Sequence, residues 1–275
     1  MNALSGSKIQ RIKVPSITVA PEPNTNSYLI GEGGRWTLVE MGGDTDEAVA
    51  AVLDRLDDVG GRIEQIVLTH HHLDHICGAR RMHEVTGAPV WIHAMDRDDV
   101  SDIADVRTYV DGTKIETSVG LLEVLHTPGH AQGHGCLYYA PERALFSGDM
   151  INGVGYVVIL PPEGDMRQYL ESLGRLRSLD LATLYPGHGP IVTDPYAKID
   201  EYVDHRLARE AKVVRALGRG PNTLDGLLPI VYDDVSPSLF FLAEGSLYAH
   251  LNKLCEDGRA RWMIQDDGEK HFELI

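Results

Sequence analysis

The stretch Thr69-His70-His71-His72-Leu73-Asp74-His75 crowds imidazoles and a carboxylate together directly after the apolar run Gln65-Ile66-Val67-Leu68. A tight loop at a strand end can aim His70, His72, Asp74 and His75 inward, and imidazole with carboxylate is the donor set of zinc or a similar first-row cation. The other reading, a polar loop or a purification tag, fits poorly. Tags are plain histidine runs at a terminus, whereas this string is internal and interrupted by Asp74.

Three later residues sit in related settings: His130 in Thr127-Pro128-Gly129-His130, Asp149 in Phe146-Ser147-Gly148-Asp149, and His188 in Tyr185-Pro186-Gly187-His188-Gly189. Each ends an apolar run beside glycine, which permits backbone angles that swing a side chain into a crowded site. Singly, each reads as a turn residue or a cap. Together with the first cluster they form a candidate ligand set.

These residues need elements to hold them. Ser27 to Ile30 and Trp36 to Val39 read as strands around Gly31-Glu32-Gly33-Gly34. Asp44 or Thr45 can cap a helix with Val49, Val52, Leu53 and Leu56 on one face, stopping at Gly60-Gly61. Gln65 to Thr69 suits a strand buried on both faces. Further strands are expected at 90–93, 121–125, 136–139 and 144–146, and a helix through Met166, Tyr169, Leu170, Leu173 and Leu176. Strands alternating with helices predict an α/β arrangement up to about Thr193. Beyond Asp194-Pro195 the chain reads as a long polar helix, a helical segment near 223–232, a helix over about 237–256, and a hairpin around Asp267-Gly268, the order of a winged helix.

The 275 residues carry 25 Lys and Arg against 41 Asp and Glu, a formal net charge of -16. Such a field repels polyanions unless basic residues gather in one groove. No window is long and apolar enough for a membrane span. Met1 to Lys8 has neither an apolar core nor a basic amphipathic pattern, so no leader is expected and the protein is expected to be soluble and cytoplasmic. Cys77, Cys136 and Cys255 are too scattered for a disulfide framework or a cysteine-rich zinc site.

In its order of motifs, His-x-His-x-Asp-His followed by His, Asp and His, the sequence closely resembles the metallo-β-lactamase superfamily. The resemblance implies an α/β fold, the αββα sandwich, over 1–195 and a small winged-helix domain over 196–275. It also implies a two-metal site, with Zn2+ as the default and iron or manganese compatible with the same His and Asp donors. His70, His72 and His130 would hold one ion, Asp74, His75 and His188 the other, and Asp149 would bridge both. Asp74 and Asp149 thereby count as catalytic. A metal-bridged hydroxide would attack a small-molecule ester, thioester or lactone without a side-chain base.

One position departs from the pattern. The family often has Asp after its second strand, where this chain has Glu40 in Val39-Glu40-Met41. As a residue that orients a metal-bound imidazole, Glu40 would alter metal affinity or preference by its extra methylene. His71 is expected beside the ligands or facing outward, and His134 as a hydrogen-bonding residue behind them.

Tyr202 to Glu210 and Ala249 to Arg259 resemble the winged helix attached to one branch of the family. That branch includes an animal single-strand-specific endoribonuclease and fungal enzymes that release polyketides from carrier-protein thioesters. The expected recognition helix carries only Lys253 as a full positive charge, a poor footprint for phosphates. Nucleic acid is therefore not the expected partner, nor is a membrane. The nuclease alternative would need a basic groove lined by Arg80, Arg81, Arg107 or Arg206. The appendage is expected to wall the pocket of a small-molecule substrate or to make a homodimer contact. The apolar segment 153–165 favours an acyl or aromatic group, and Tyr156 is the substrate-contact candidate there, with core packing as its alternative. A regulator whose winged helix binds DNA is disfavoured, because the ligand set is intact.

Overall fold

The computed structural model describes residues 8–18 and 22–275. Most of the N-terminal stretch read above for a leader, Met1 to Ser7, lies outside the described residues. Contacts divide the chain into two compact units. One comprises the residues up to Thr127 with Gly133–Gly155 and Leu179–Pro195; the other comprises Pro128–Gln132, Tyr156–Ser178 and Tyr196–Ile275.

The first unit holds two sheets. Strands β1 (Ile9–Pro15), β2 (Asn24–Glu32), β3 (Arg35–Val39), β4 (Arg62–Val67), β5 (Val90–His93) and β6 (Val106–Tyr109) form one sheet in sequence order, antiparallel from β1 to β3 and parallel from β3 to β6. Strands β7 (Lys114–Thr117), β8 (Gly120–His126), β9 (Gly135–Tyr139), β10 (Ala144–Gly148) and β11 (Thr183–Pro186) form the second, in the order β11-β10-β9-β8-β7, with only β10 and β11 parallel.

Alternation along the strands builds two cores. Leu29, Leu38 and Ile66 point to one face of the first sheet, against α1 (Asp46–Val59) and α3 (Ala79–Thr86). Ile30, Val39 and Val67, next to them in sequence, point to the other face, where they meet Val124, Leu137 and Phe146 of the second sheet. Thr45 caps α1, its hydroxyl accepting from the Ala48 N–H at 3.2 Å, and the helix buries Val49, Val52 and Leu56. The short α2 (Leu73–Ile76) begins inside the histidine cluster.

The second unit carries α4 (Met166–Arg177), α5 (Pro195–Leu217, from Tyr196 on), α6 (Leu224–Val231) and α7 (Phe240–Glu256). A small sheet of β12 (Asn222–Thr223), β13 (Ala260–Ile264) and β14 (Lys270–Leu274) runs in the order β12-β14-β13. Val213, Leu217, Leu227, Leu247, Leu251 and Phe272 form its core. No helix among the described residues is long and apolar enough to cross a membrane.

Candidate metal centre

Parallel neighbours deliver their C-terminal ends to one edge, the usual place for chemistry in α/β sheets. In the first unit the pair β3 and β4 ends at Glu40 and at Thr69 to His75, while the pair β10 and β11 ends at Asp149 and at Gly187-His188. Two glycines make room there. A β-carbon on Gly148, which sits at a φ of 47°, would stand 2.5 Å from Thr69 Oγ1 and 2.6 Å from His134 Nε2. On Gly187 it would stand 2.7 Å from His75 Cε1 and 2.8 Å from Asp149 Oδ1.

Four donor atoms converge at this edge. His75 Nε2 lies 3.2 Å from His188 Nε2, 3.4 Å from Asp149 Oδ1 and 4.0 Å from Asp74 Oδ2. His188 Nε2 lies 3.2 Å from Asp74 Oδ2 and 3.5 Å from Asp149 Oδ1. Four ligands about 2.1 Å from a tetrahedral cation stand about 3.4 Å apart, and these five separations, from 3.2 to 4.0 Å, bracket that value. Beside it, His70 Nε2 and His72 Nδ1 face each other at 3.1 Å. Asp149 is within reach of both groups, because its carboxylate also clusters with His70 and His75.

Electrostatics favour a cation as well. Burial disfavours charge on His75, yet Asp149 and Glu40 outweigh it and raise its pKa well above the ordinary histidine value. His188 is raised in the same way, burial being overcome by Asp149 and Asp74. Burial pushes Asp74 up, but His188 and His75 hold its carboxyl below the usual range. The edge thus stabilises positive charge, and the donor chemistry suits a first-row metal.

Surrounding groups hold the donors. Glu40 is buried, with Oε1 accepting from the Thr69 N–H at 3.1 Å and Oε2 3.3 Å from His75 Nδ1. His134 Nε2 accepts from the Asp149 N–H at 3.1 Å, so its proton sits on Nδ1 and points to Thr127 Oγ1 at 2.9 Å. His71 Nδ1 lies 3.3 Å from Oδ1 of the buried Asp96, and His188 Nδ1 lies 3.1 Å from the Asn24 carbonyl. Asn26, overlooked in the sequence, clamps the His188 loop by donating to the carbonyls of Pro186 and Gly189 at 2.9 and 2.8 Å. Asp96 was likewise overlooked, and no local motif marks either residue.

His130 falls in the second unit, where its Nδ1 lies 2.9 Å from the Val158 carbonyl oxygen. Tyr156 is not a core residue: it is 41% exposed, and its ring stacks on His205 with centroids 3.6 Å apart.

The candidate basic residues are spent elsewhere. Arg80 pairs with Glu84 and Asp102, Arg81 with Asp46, and Arg107 with Asp105. Arg206 is buried, and Lys253 is bound by Glu210 and Asp257, each at 2.8 Å.

Comparison with known proteins bears on the family and the fold. Residues 20–188 match the metallo-beta-lactamase superfamily, and residues 223–267 match the beta-lactamase associated winged helix domain. A Caenorhabditis elegans protein named beta-lactamase-like protein 2 homolog is 33% identical over 238 residues, 85% of this chain and 79% of its own length. A protein of Aspergillus chevalieri named atrochrysone carboxyl ACP thioesterase is 30% identical over 264 residues, 90% of this chain and 81% of its own. The solved beta-lactamase domain protein of Burkholderia ambifaria superposes with a TM-score of 0.86 at 21% identity, covering 98% of this chain and 92% of that one, which speaks for the fold alone.

Proposed function

The chain belongs to the metallo-beta-lactamase superfamily of hydrolases, in the branch with a C-terminal winged helix, and on that footing we propose that it is a dinuclear metal-dependent hydrolase of a small acyl ester, thioester or lactone. The observation that carries this reading is the convergence of Asp74, His75, Asp149 and His188 at separations suited to a bound cation. In this reading His70, His72 and His130 would hold one ion, Asp74, His75 and His188 would hold the other, and Asp149 would serve both; the placement of His130 rests on the family's order of motifs. The catalytic part ends near residue 195. Zinc is the default metal, with iron or manganese compatible. When bound, a pair of such cations acidifies water near neutral pH and polarises the acyl oxygen.

The chain's own residues do the rest. Glu40 and the Asn24 carbonyl face the Nδ1 atoms of His75 and His188, so each Nε2 is presented as a donor. His134 fixes the backbone N–H of Asp149, which sets where that carboxylate is offered. In the second unit Tyr156 and Leu160 carry exposed apolar surface, suited to an acyl chain or ring.

A thioester is favoured by the name of the Aspergillus relative. Nucleic acid is disfavoured by the net charge of -16 and by the pairing or burial of Arg80, Arg81, Arg107, Arg206 and Lys253. The deciding experiment incubates zinc-loaded protein, and Asp149→Ala in parallel, with an acyl thioester, a lactone, an aryl ester and a fluorescent single-stranded RNA. Turnover of an acyl substrate by the parent alone supports the reading. RNA cleavage by the parent alone, with no acyl turnover, replaces it with the endoribonuclease alternative.

A further inference from the structure

The helix α5 carries His205-Arg206-Leu207-Ala208-Arg209-Glu210, a string marked by its resemblance to one branch but given no task so far. Three of its side chains are buried: Arg206, Arg209 and Glu210. Arg209 has Asp234 as its partner, and Glu210 has Lys253 and Arg259. Arg206 differs. It is 3% exposed, lies over the Tyr169 ring at 5.3 Å, and donates from Nη2 to the Val157 carbonyl, with no carboxylate beside it and Nε unpartnered among the described residues.

A buried guanidinium without a counter-ion is expensive, and an apolar side chain of similar volume would fill the space at lower cost. What only a donor can do is fix the Val157 carbonyl, and the next peptide is fixed too. The Ile159 N–H donates to Ser246 Oγ of α7 at 3.3 Å, while the carbonyl of that same peptide, on Val158, faces His130 Nδ1 at 2.9 Å. Ser246 is itself buried. Ser246, the Val158–Ile159 peptide and the imidazole of His130 thus form one hydrogen-bonded line, in which donation at the amide strengthens the carbonyl as an acceptor. A firm acceptor on Nδ1 holds the proton there, fixes the ring and makes Nε2 more basic.

The loop itself is held from the same quarter. The Asp165 N–H donates to the Gly129 carbonyl at 2.8 Å, Ser172 Oγ donates to the Pro128 carbonyl at 2.8 Å, and Gln132 Nε2 donates to the Glu163 carbonyl at 2.7 Å. Tyr169, on which Arg206 rests, is the residue a β-carbon on Gly129 would strike, 2.3 Å from its backbone nitrogen.

We propose that Arg206 and Ser246 are positioning residues for the metal ligand His130, acting through the Val157–Ile159 backbone to set its tautomer and ring orientation and so the affinity of the first metal. This rests on the reading of His130 as a ligand.

The test uses full-length protein, stripped and titrated with zinc against a fluorescent chelator, in Ser246→Ala, Arg206→Met, His130→Ala and the core control Leu247→Ala. Ser246→Ala and Arg206→Met are expected to weaken one of two zinc ions by about 10- to 100-fold and leave the other unchanged. Ser246→Thr should restore it. Leu247→Ala should lower the melting temperature and leave both affinities alone. The 15N chemical shifts of the zinc-loaded imidazoles give a second readout, with the Nδ1–H signal of His130 broadened or lost in Ser246→Ala. Unchanged affinities and an unchanged His130 signal in both positioning variants, while His130→Ala loses one zinc, overturn this proposal alone. Two zinc ions bound by His130→Ala at parental affinity overturn the ligand reading beneath it.

Discussion

Glu40 Oε2 and His75 Nδ1 lie 3.3 Å apart in the interior, and the opposite nitrogen of that ring faces His188 and Asp149. A carboxylate on Nδ1 keeps the proton there and frees Nε2 for a cation. Glu40 takes this position from a backbone φ of 66°, a left-handed conformation unusual for a residue with a β-carbon. The fold keeps that strain where a carboxylate meets both the Thr69 N–H and the His75 ring.

Glu40→Gln separates charge from shape. Its amide oxygen can still accept from Thr69, but its NH2 group then confronts the Nδ1–H of His75, donor against donor. One of two zinc ions should bind about 10- to 100-fold more weakly, with the circular dichroism spectrum retained. A two-ion titration matching the parent would remove the role assigned to Glu40.

Asp149→Ala should reduce hydrolysis of any acyl substrate found to background. The chain should stay folded, because the contact that Asp149 makes to His134 uses its backbone N–H, which alanine retains. Parental turnover by a variant with a cooperative melt and counted metal would sink the bridging assignment.

The candidate cluster was legible because its spacing is local: the imidazoles and carboxylate of Thr69 to His75 share one loop, and Gly148 and Gly187 mark the tight approaches beside Asp149 and His188. Asn26 was not, since its amide acts on Pro186, 160 residues on, and nothing around Asn26 announces that. The cap of α1 at Thr45 was readable from one turn of sequence. Strand β1 was missed because its buried residues Ile9, Ile12 and Val14 do not alternate regularly, and β6 and β7 are four-residue strands whose identity depends on neighbours. Net charge pointed away from polyanions; that Lys253 is held by Glu210 and Asp257 needed coordinates.

Metal should stabilise the fold by mass action. A cation that binds only the folded chain adds about 2.7 kcal/mol at a concentration 100 times its Kd. The melting temperature should therefore climb steadily with the logarithm of free zinc and fall on chelation. Asp149→Ala should blunt the climb, and a parental melting temperature indifferent to zinc would argue against a site at Asp74, His75, Asp149 and His188.

Stability should also fall on mild acidification because of His205. Burial, then the nearby Arg206 and Arg209, push its pKa down to about 4, whereas an unfolded chain titrates it near 6.5. Between those values the unfolded state binds a proton that the folded state refuses. The contribution is therefore complete above about pH 6.5, declines as pH drops towards 4, and is flat below. His250 is shifted downward too, first by burial and then by Arg206 and Lys253, so it adds in the same direction. Between pH 7.5, 6 and 5 the urea midpoint of His205→Gln should gain on that of the parent, because its amide cannot take up the proton; His75 and His188, whose raised pKa values act with the opposite sign, are common to both. Carboxylates that protonate near pH 5 act on both proteins alike and cancel in the difference. Parallel pH profiles for parent and variant would show that His205 does not carry this loss.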